Sequence, residues 1–191
     1  MFGLLAPMVI ALVTAIAIGG SLDNWSRVRL RWWPLALVAL GIQLPLYSPP
    51  FNSMPPVVAL GVALGWLTTG SVLVLLVRNA TGPGRLACLV AALGVAMNLT
   101  VMLANGGWMP RSQPVSRLDD QQPVVSNTEL MTAETRLSWL GDGIEEPRWL
   151  PWTNLVSPGD ILLSLGAAWW VFGITRPTRA RRVTGHSTSL T

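Results

Sequence analysis

Five apolar stretches, residues 2–20, 33–48, 56–77, 86–105 and 158–175, dominate this sequence and leave it few folds to choose from. About 20 helical residues at ~1.5 Å rise cover the ~30 Å hydrocarbon core of a bilayer, and each stretch comes close to that length. Within a bilayer the backbone must satisfy its own hydrogen bonds, which a helix does segment by segment. The expectation is therefore an all-α membrane protein, a bundle of about five transmembrane helices. The second and fifth stretches are short, and Gln43 and Pro45 interrupt the second, so local thinning of the bilayer or burial inside the bundle is expected there. Composition points the same way, because 51% hydrophobic and 12% charged residues are wrong for a solvated surface. The first stretch, opening MFGLLAPMVI, lacks the basic region of a secretory signal peptide and reads as a retained helix.

The basic residues are all arginine, and most sit in short segments beside the apolar runs rather than in a patch suited to nucleic acid. Arg27, Arg29 and Arg31 follow the first span, Arg78 and Arg85 separate the third and fourth, and Arg176, Arg179, Arg181 and Arg182 follow the fifth. An odd number of spans puts all of these on one side. The positive-inside rule makes that side cytoplasmic, with the N-terminus outside and the C-terminus inside a bacterial cell membrane. Trp25, Trp32 and Trp33 mark the inner headgroup level, while Trp108, Trp139, Trp149 and Trp152 belong to the outer loop. Trp66 falls mid-span beside Gly61 and Gly65, and reads first as helix packing, second as the wall of a lipophilic pocket. Gly82, Pro83 and Gly84 predict a tight hairpin between spans three and four, and SPPFNSMPP a tight outer turn. The tail 176–191 has no apolar period and is expected to be disordered. Cys88 and His186 are each the sole residue of their kind, so neither an internal disulfide nor a metal site is expected, and no cofactor is implied.

The connection 106–157 is far longer than an ordinary loop. Within it, SNTELMTAETRLSWLGDG has a capping-box spacing at Ser126 and Glu129, and Leu130, Ala133, Leu137 and Leu140 recur at helical spacing. A short amphipathic helix on the outer face is predicted, either capping the bundle or acting as a lid. Beyond it, Arg148, Trp149 and Trp152 return the chain to the interface, as an anchor first and a headgroup contact second.

At NLVSPGDILL an acid opens the last apolar stretch. Ser157 is a natural N-cap, Pro158 suits the first helical position, and Asp160 falls three residues after the cap, where its carboxylate can reach back to the cap amide. Capping alone is a sufficient account of it. A functional reading requires company: Asn98 and Asn105 share a face of span four, and Ser164 lies one turn after Asp160. If spans four and five adjoin, Asn98, Asn105, Asp160 and Ser164 line a polar cleft descending from the outer surface, with Trp108 and Met109 as its apolar wall and the amides of Gly106 and Gly107 at its mouth. Interhelical hydrogen bonding that fixes the packing is the equally weighted alternative.

The segments ANGGWMP (104–110) and NLVSPGDILL (154–163), with the layout of spans, resemble a bacterial family of small multispan integral membrane proteins of undefined function. That resemblance implies a multispan fold and carries over no catalytic residue. TNLVSPGD is also loosely similar to the region of the lipoprotein signal peptidases that leads to an aspartate at their last span. Those enzymes need a second boundary aspartate, and here the end of span four carries Asn98 and Asn105 instead, leaving Asp119, Asp120 or Asp142 to fold back. The leading expectation is a non-enzymatic subunit, accessory factor or lipid-binding protein whose partners are membrane lipid and another membrane protein, with no nucleic acid. The alternative is an enzyme acting on a lipid or lipid-linked substrate, with Asp160 as acid or base and Asn105 orienting. A transporter ranks third, since one boundary acid offers few groups for a solute path.

Overall fold

A computed structural model describes residues 2–47, 51, 54–112, 128–147 and 155–177. The chain is mostly helical, with α1 at Phe2–Ala17, α2 at Pro34–Tyr47, α3 at Pro55–Asn79, α4 at Arg85–Ala104 and α5 at Pro158–Thr175. These helices occupy the five apolar stretches, and α2 runs through Pro45 rather than stopping at it. The segments Ala59–Asn79 and Gly82–Ala104 are long and apolar enough to cross a membrane, whereas α1 and α2 are shorter apolar helices.

The helices pack in the order α1, α5, α4, α3, α2, so α5 is inserted between the first helix and the fourth. The turn at Gly82–Gly84 folds α3 back onto α4, as its breakers predict. At one end of the bundle the connections interlock. Trp25 Nε1 donates to Thr175 Oγ1 at 3.0 Å, Asn24 Nδ2 donates to the Arg176 carbonyl, and Asn79 holds the Arg31 backbone through both its amide groups at 2.8 Å. Arg27, Arg29, Arg31, Arg78, Arg85 and Arg176 are all exposed at this end. Trp32 adopts a left-handed backbone there (φ 61°), a conformation that disfavours a bulky residue by ~1–2 kcal/mol, and its ring lies 4.8 Å beneath the Arg78 guanidinium.

Small residues set the α4–α5 contact. A Cβ on Gly159 would collide with the Asn98 side chain and meet the Gly94 carbonyl at 2.6 Å, and one on Gly166 would meet the Ala91 amide at 2.5 Å. Glycine to alanine inside a helix ordinarily gains ~1 kcal/mol, yet overpacking a tight contact costs ~1–3 kcal/mol. Gly159→Ala is therefore expected to lower stability in detergent unfolding by about 1–2 kcal/mol. Gly173→Ala, on the same helix with nothing within 4 Å of the new methyl, is expected to raise it. Equal gains from both would refute close packing of α4 on α5.

The long connection between α4 and α5 departs from expectation. Residues 128–143 contain no α-helix: Thr128–Leu130 is a strand, β2, pairing in parallel with β1 at Met109–Arg111, and Ser138–Leu140 is a single 3-10 turn. Of the predicted apolar stripe, Leu140 is buried and Leu130 and Leu137 are 44% and 38% exposed. Two physical effects displaced the helix. So short an isolated helix is marginal, and Thr128, Thr132 and Thr135 favour extended or turn conformations over it. Strand pairing, with Met131 N donating to the Arg111 carbonyl, then decided the outcome. A second ribbon joins β3 (Ile144–Glu145) to β4 (Leu155–Val156), antiparallel, and delivers the chain into α5. Ser126 of the expected capping box, Arg148, Trp149, Trp152, Asp119, Asp120, the segments 48–50 and 52–53 of the outer turn, and the tail from 178 lie outside the described residues.

Candidate functional site

Ser157 and Asp160 form the capping box that their spacing predicts, with Ser157 N donating to Asp160 Oδ2 at 3.1 Å and Asp160 N donating to Ser157 Oγ at 3.0 Å. Asn98 of α4 closes this box into a ring. Its Nδ2 donates to Asp160 Oδ1 and its Oδ1 accepts from Ser157 Oγ, both at 2.8 Å. Ser157 is fully buried and Asn98 and Asp160 are partly so. The N-terminus of α5 is thus tied to α4 by two of the four hydrogen bonds in this circuit, next to the Gly94–Gly159 contact. Both Asp160 oxygens are occupied, so the acid is first a structural acceptor.

The other residues of the expected cleft go elsewhere. Asn105 turns to the loop, where its Nδ2 donates to the Val101 and Arg136 carbonyls at 2.8 Å and its Oδ1 accepts from Arg136 N at 2.9 Å. Asn98 and Asn105 therefore share a helix but not a site. Ser164 is buried along α5. Trp108 is half-buried, and its amide donates to the Asn105 carbonyl. The Gly107 amide closes the helix end on the Met102 carbonyl at 2.7 Å, in a left-handed turn (φ 101°) open to glycine. The Gly107 amide is spent on the turn and does not line a mouth. Met109 is buried with Val101, Met102 and Leu140 in the cluster that seats the loop on α4. Trp66 packs against Gly107, where a Cβ would come within 2.9 Å of its Nε1, in keeping with the packing role.

Arg111, which the sequence left unassigned, and Asp142, one of the three acids left there to fold back, meet within electrostatic reach of Asp160. Arg111 and Asp142 form a parallel bridge, with Asp142 N donating to the Pro110 carbonyl at 2.8 Å and Ser112 N to the Asp142 carbonyl at 2.9 Å. Burial, reinforced by the negative charge of Asp160 and opposed by Arg111, pushes the Asp142 carboxyl up to about 8. Burial pulls the Arg111 guanidinium below its ordinary value, against the pull of Asp142, and its Nε is buried without a partner among the described residues. The arrangement sets two mutually repelling carboxyls and one half-desolvated cation at the end of α4 and α5. Of the three acids left to fold back, Asp142 is the one that comes within electrostatic reach of Asp160, and Asp119 and Asp120 lie outside the described residues. The local hint of Asp142 was the turn GDG at 141–143, and the pairing that delivers it joins Arg111 to Asp142, 31 positions apart in the chain.

Among the described residues no group of His, Cys, Asp and Glu could hold a metal ion. A family model described as a family of unknown function, DUF5317, matches residues 27–172. No curated protein matches, and no solved structure does.

Proposed function

The chain belongs to the DUF5317 family, which assigns it no activity, and from its own residues we propose an integral membrane protein whose five helices all cross the bilayer. One observation carries this reading: every long helix turns large apolar side chains outward. Val9, Ile10 and Val13 of α1, Leu37 and Leu44 of α2, Leu60 and Leu67 of α3, Leu86 and Leu93 of α4, and Leu165 and Trp169 of α5 are all more than half exposed. Only 22% of the Ala59–Asn79 segment is buried, whereas the core helix of a soluble protein is covered on most sides. Scattered exposed leucines are ordinary, but a continuous apolar girdle demands a lipid solvent or a partner. The arginine-bearing end is the cytoplasmic one by the positive-inside rule.

In this reading the protein acts as a non-enzymatic subunit, accessory factor or lipid-binding protein of a bacterial cell membrane. The closed ring of Asn98, Ser157 and Asp160 favours it, because groups already satisfied by one another are poorly placed for turnover. Reporter fusions test the threading. An N-terminal fusion is expected to report outside the cell and a C-terminal one inside, with the protein resisting alkaline extraction. Both termini in one compartment would overturn the five-span reading.

The electrostatic influence of Asp160 on Asp142 favours a second reading, a membrane enzyme on a lipid or lipid-linked substrate. Asp160 would serve as acid or base beside a carboxyl that burial keeps protonated. Gentle detergent extraction separates the two: a co-purifying protein or lipid supports the first, and turnover of an added lipid-linked substrate that Asp142→Asn abolishes supports the second.

A further inference from the structure

At the end of the bundle opposite the ring, an open groove of about 500 Å³ lies between α5 and the segment joining α1 to α2. Trp25, Trp33 and Trp170 wall it, together with Val28 and Leu30, and Arg29 projects into it. The walls are held in place. Trp25 meets Trp170 edge-on with ring centres 6.0 Å apart, and its indole N–H is committed to Thr175, so it presents an apolar face and no donor. Arg29 has no acidic partner among the described residues, leaving the donors of its guanidinium open to a ligand.

We propose that this groove binds the headgroup of an anionic phospholipid, with the phosphate on Arg29 and the first acyl carbons along the indoles. The occupant follows from charge and shape together. Among the described residues, five further exposed arginines stand at this end against the single acid Asp23, so the local field selects an anion. The lining is mostly apolar, and Leu30 (43% exposed) and Trp33 (56%) carry it out to the perimeter of the bundle. A soluble phosphate compound uses the first feature and not the second, whereas a phospholipid uses both. Indoles at headgroup depth beside arginine supply that mixed surface.

The inference rests on the membrane reading, and the test separates them. The full chain is placed in bilayer discs of phosphatidylcholine with phosphatidylglycerol as the minor lipid, and retained lipid is measured by native mass spectrometry. Wild type is expected to retain phosphatidylglycerol in preference to phosphatidylcholine. Arg29→Gln is expected to lose that preference about fivefold, the factor one interfacial arginine contributes, and Trp33→Ala to weaken retention of both lipids. Arg85→Gln, at the same end but outside the groove, is expected to behave as wild type. Equal retention of the two lipids, or equal losses in Arg29→Gln and Arg85→Gln, would overturn the proposal and leave only diffuse charge. A chain released from membranes by alkali would instead overturn the membrane reading itself.

Discussion

Asp160→Ala is expected to destabilise the protein by about 2–6 kcal/mol in detergent unfolding, the sum of two orphaned donors at ~1–3 kcal/mol each, while the Ser157 hydroxyl still caps the backbone amide of residue 160. The donors are the Ser157 amide, buried with its residue, and Asn98 Nδ2, both now aimed at Asp160 oxygens. Asp160→Asn is expected to fall between wild type and alanine. An amide offers a single acceptor where the carboxylate uses two, so one donor would face an NH2 group. Asn98→Ala removes the cross-helix half of the ring and leaves the capping box intact, and it should cost less than Asp160→Ala. Combined with Asp160→Ala it should add less than it costs alone, because both changes break the Asn98–Asp160 bond while the Ser157–Asn98 bond is lost only with Asn98. Fully additive losses would show that the ring is not a unit. For the functional reading, phenotypes are to be compared at equal amounts of folded protein: a phenotype in Asp160→Asn that persists after that correction assigns the charge a role beyond packing.

The sequence was most legible where the physics is local. Ser157, Pro158 and Asp160 announced their cap because the interaction closes within one turn, and the helices followed from uninterrupted apolar length. Asn98 stood out because a polar amide inside an apolar run must find a partner, although only the packing order of the helices shows that the partner is α5. Asn105 misled for the same reason. Its heptad spacing from Asn98 is real, but the end of α4 lets its side chain reach the Arg136 backbone instead. The loop defeated pattern reading, since a stripe of Leu130, Leu137 and Leu140 serves a helix or a pair of turns equally well, and the choice fell to the long-range pairing of β1 with β2. Asp142 could be named from the sequence only as one of three acids to fold back, because its neighbours are set by residues far away in the chain.

Desolvation of the Asp142 carboxyl gives the fold an expected pH dependence. With its ordinary value at 3.8 in the unfolded chain and about 8 in the folded one, Asp142 keeps its proton on folding throughout that interval while the unfolded chain has released it. The folded state then binds the extra proton, so stability falls as pH rises, by ~1.4 kcal/mol per pH unit for one proton. The stabilising contribution is greatest near the lower value and is gone above pH 8, where both states are ionised and the folded state carries a buried charge. Wild type is accordingly expected to melt at a distinctly lower temperature at pH 8 than at pH 5. Asp142→Asn, a neutral mimic of the protonated acid, should flatten the profile and be the more stable protein at pH 8. The two neighbouring charges should move the window in opposite senses. Arg111→Gln removes the cation that holds the value down and should extend the fall to higher pH, whereas Asp160→Asn removes the anion that raises it and should narrow the window. A flat wild-type profile between pH 5 and 8, or a slope that survives in Asp142→Asn, would show that the carboxyl is hydrated and that the charged pair of Arg111 and Asp142 is not a buried site.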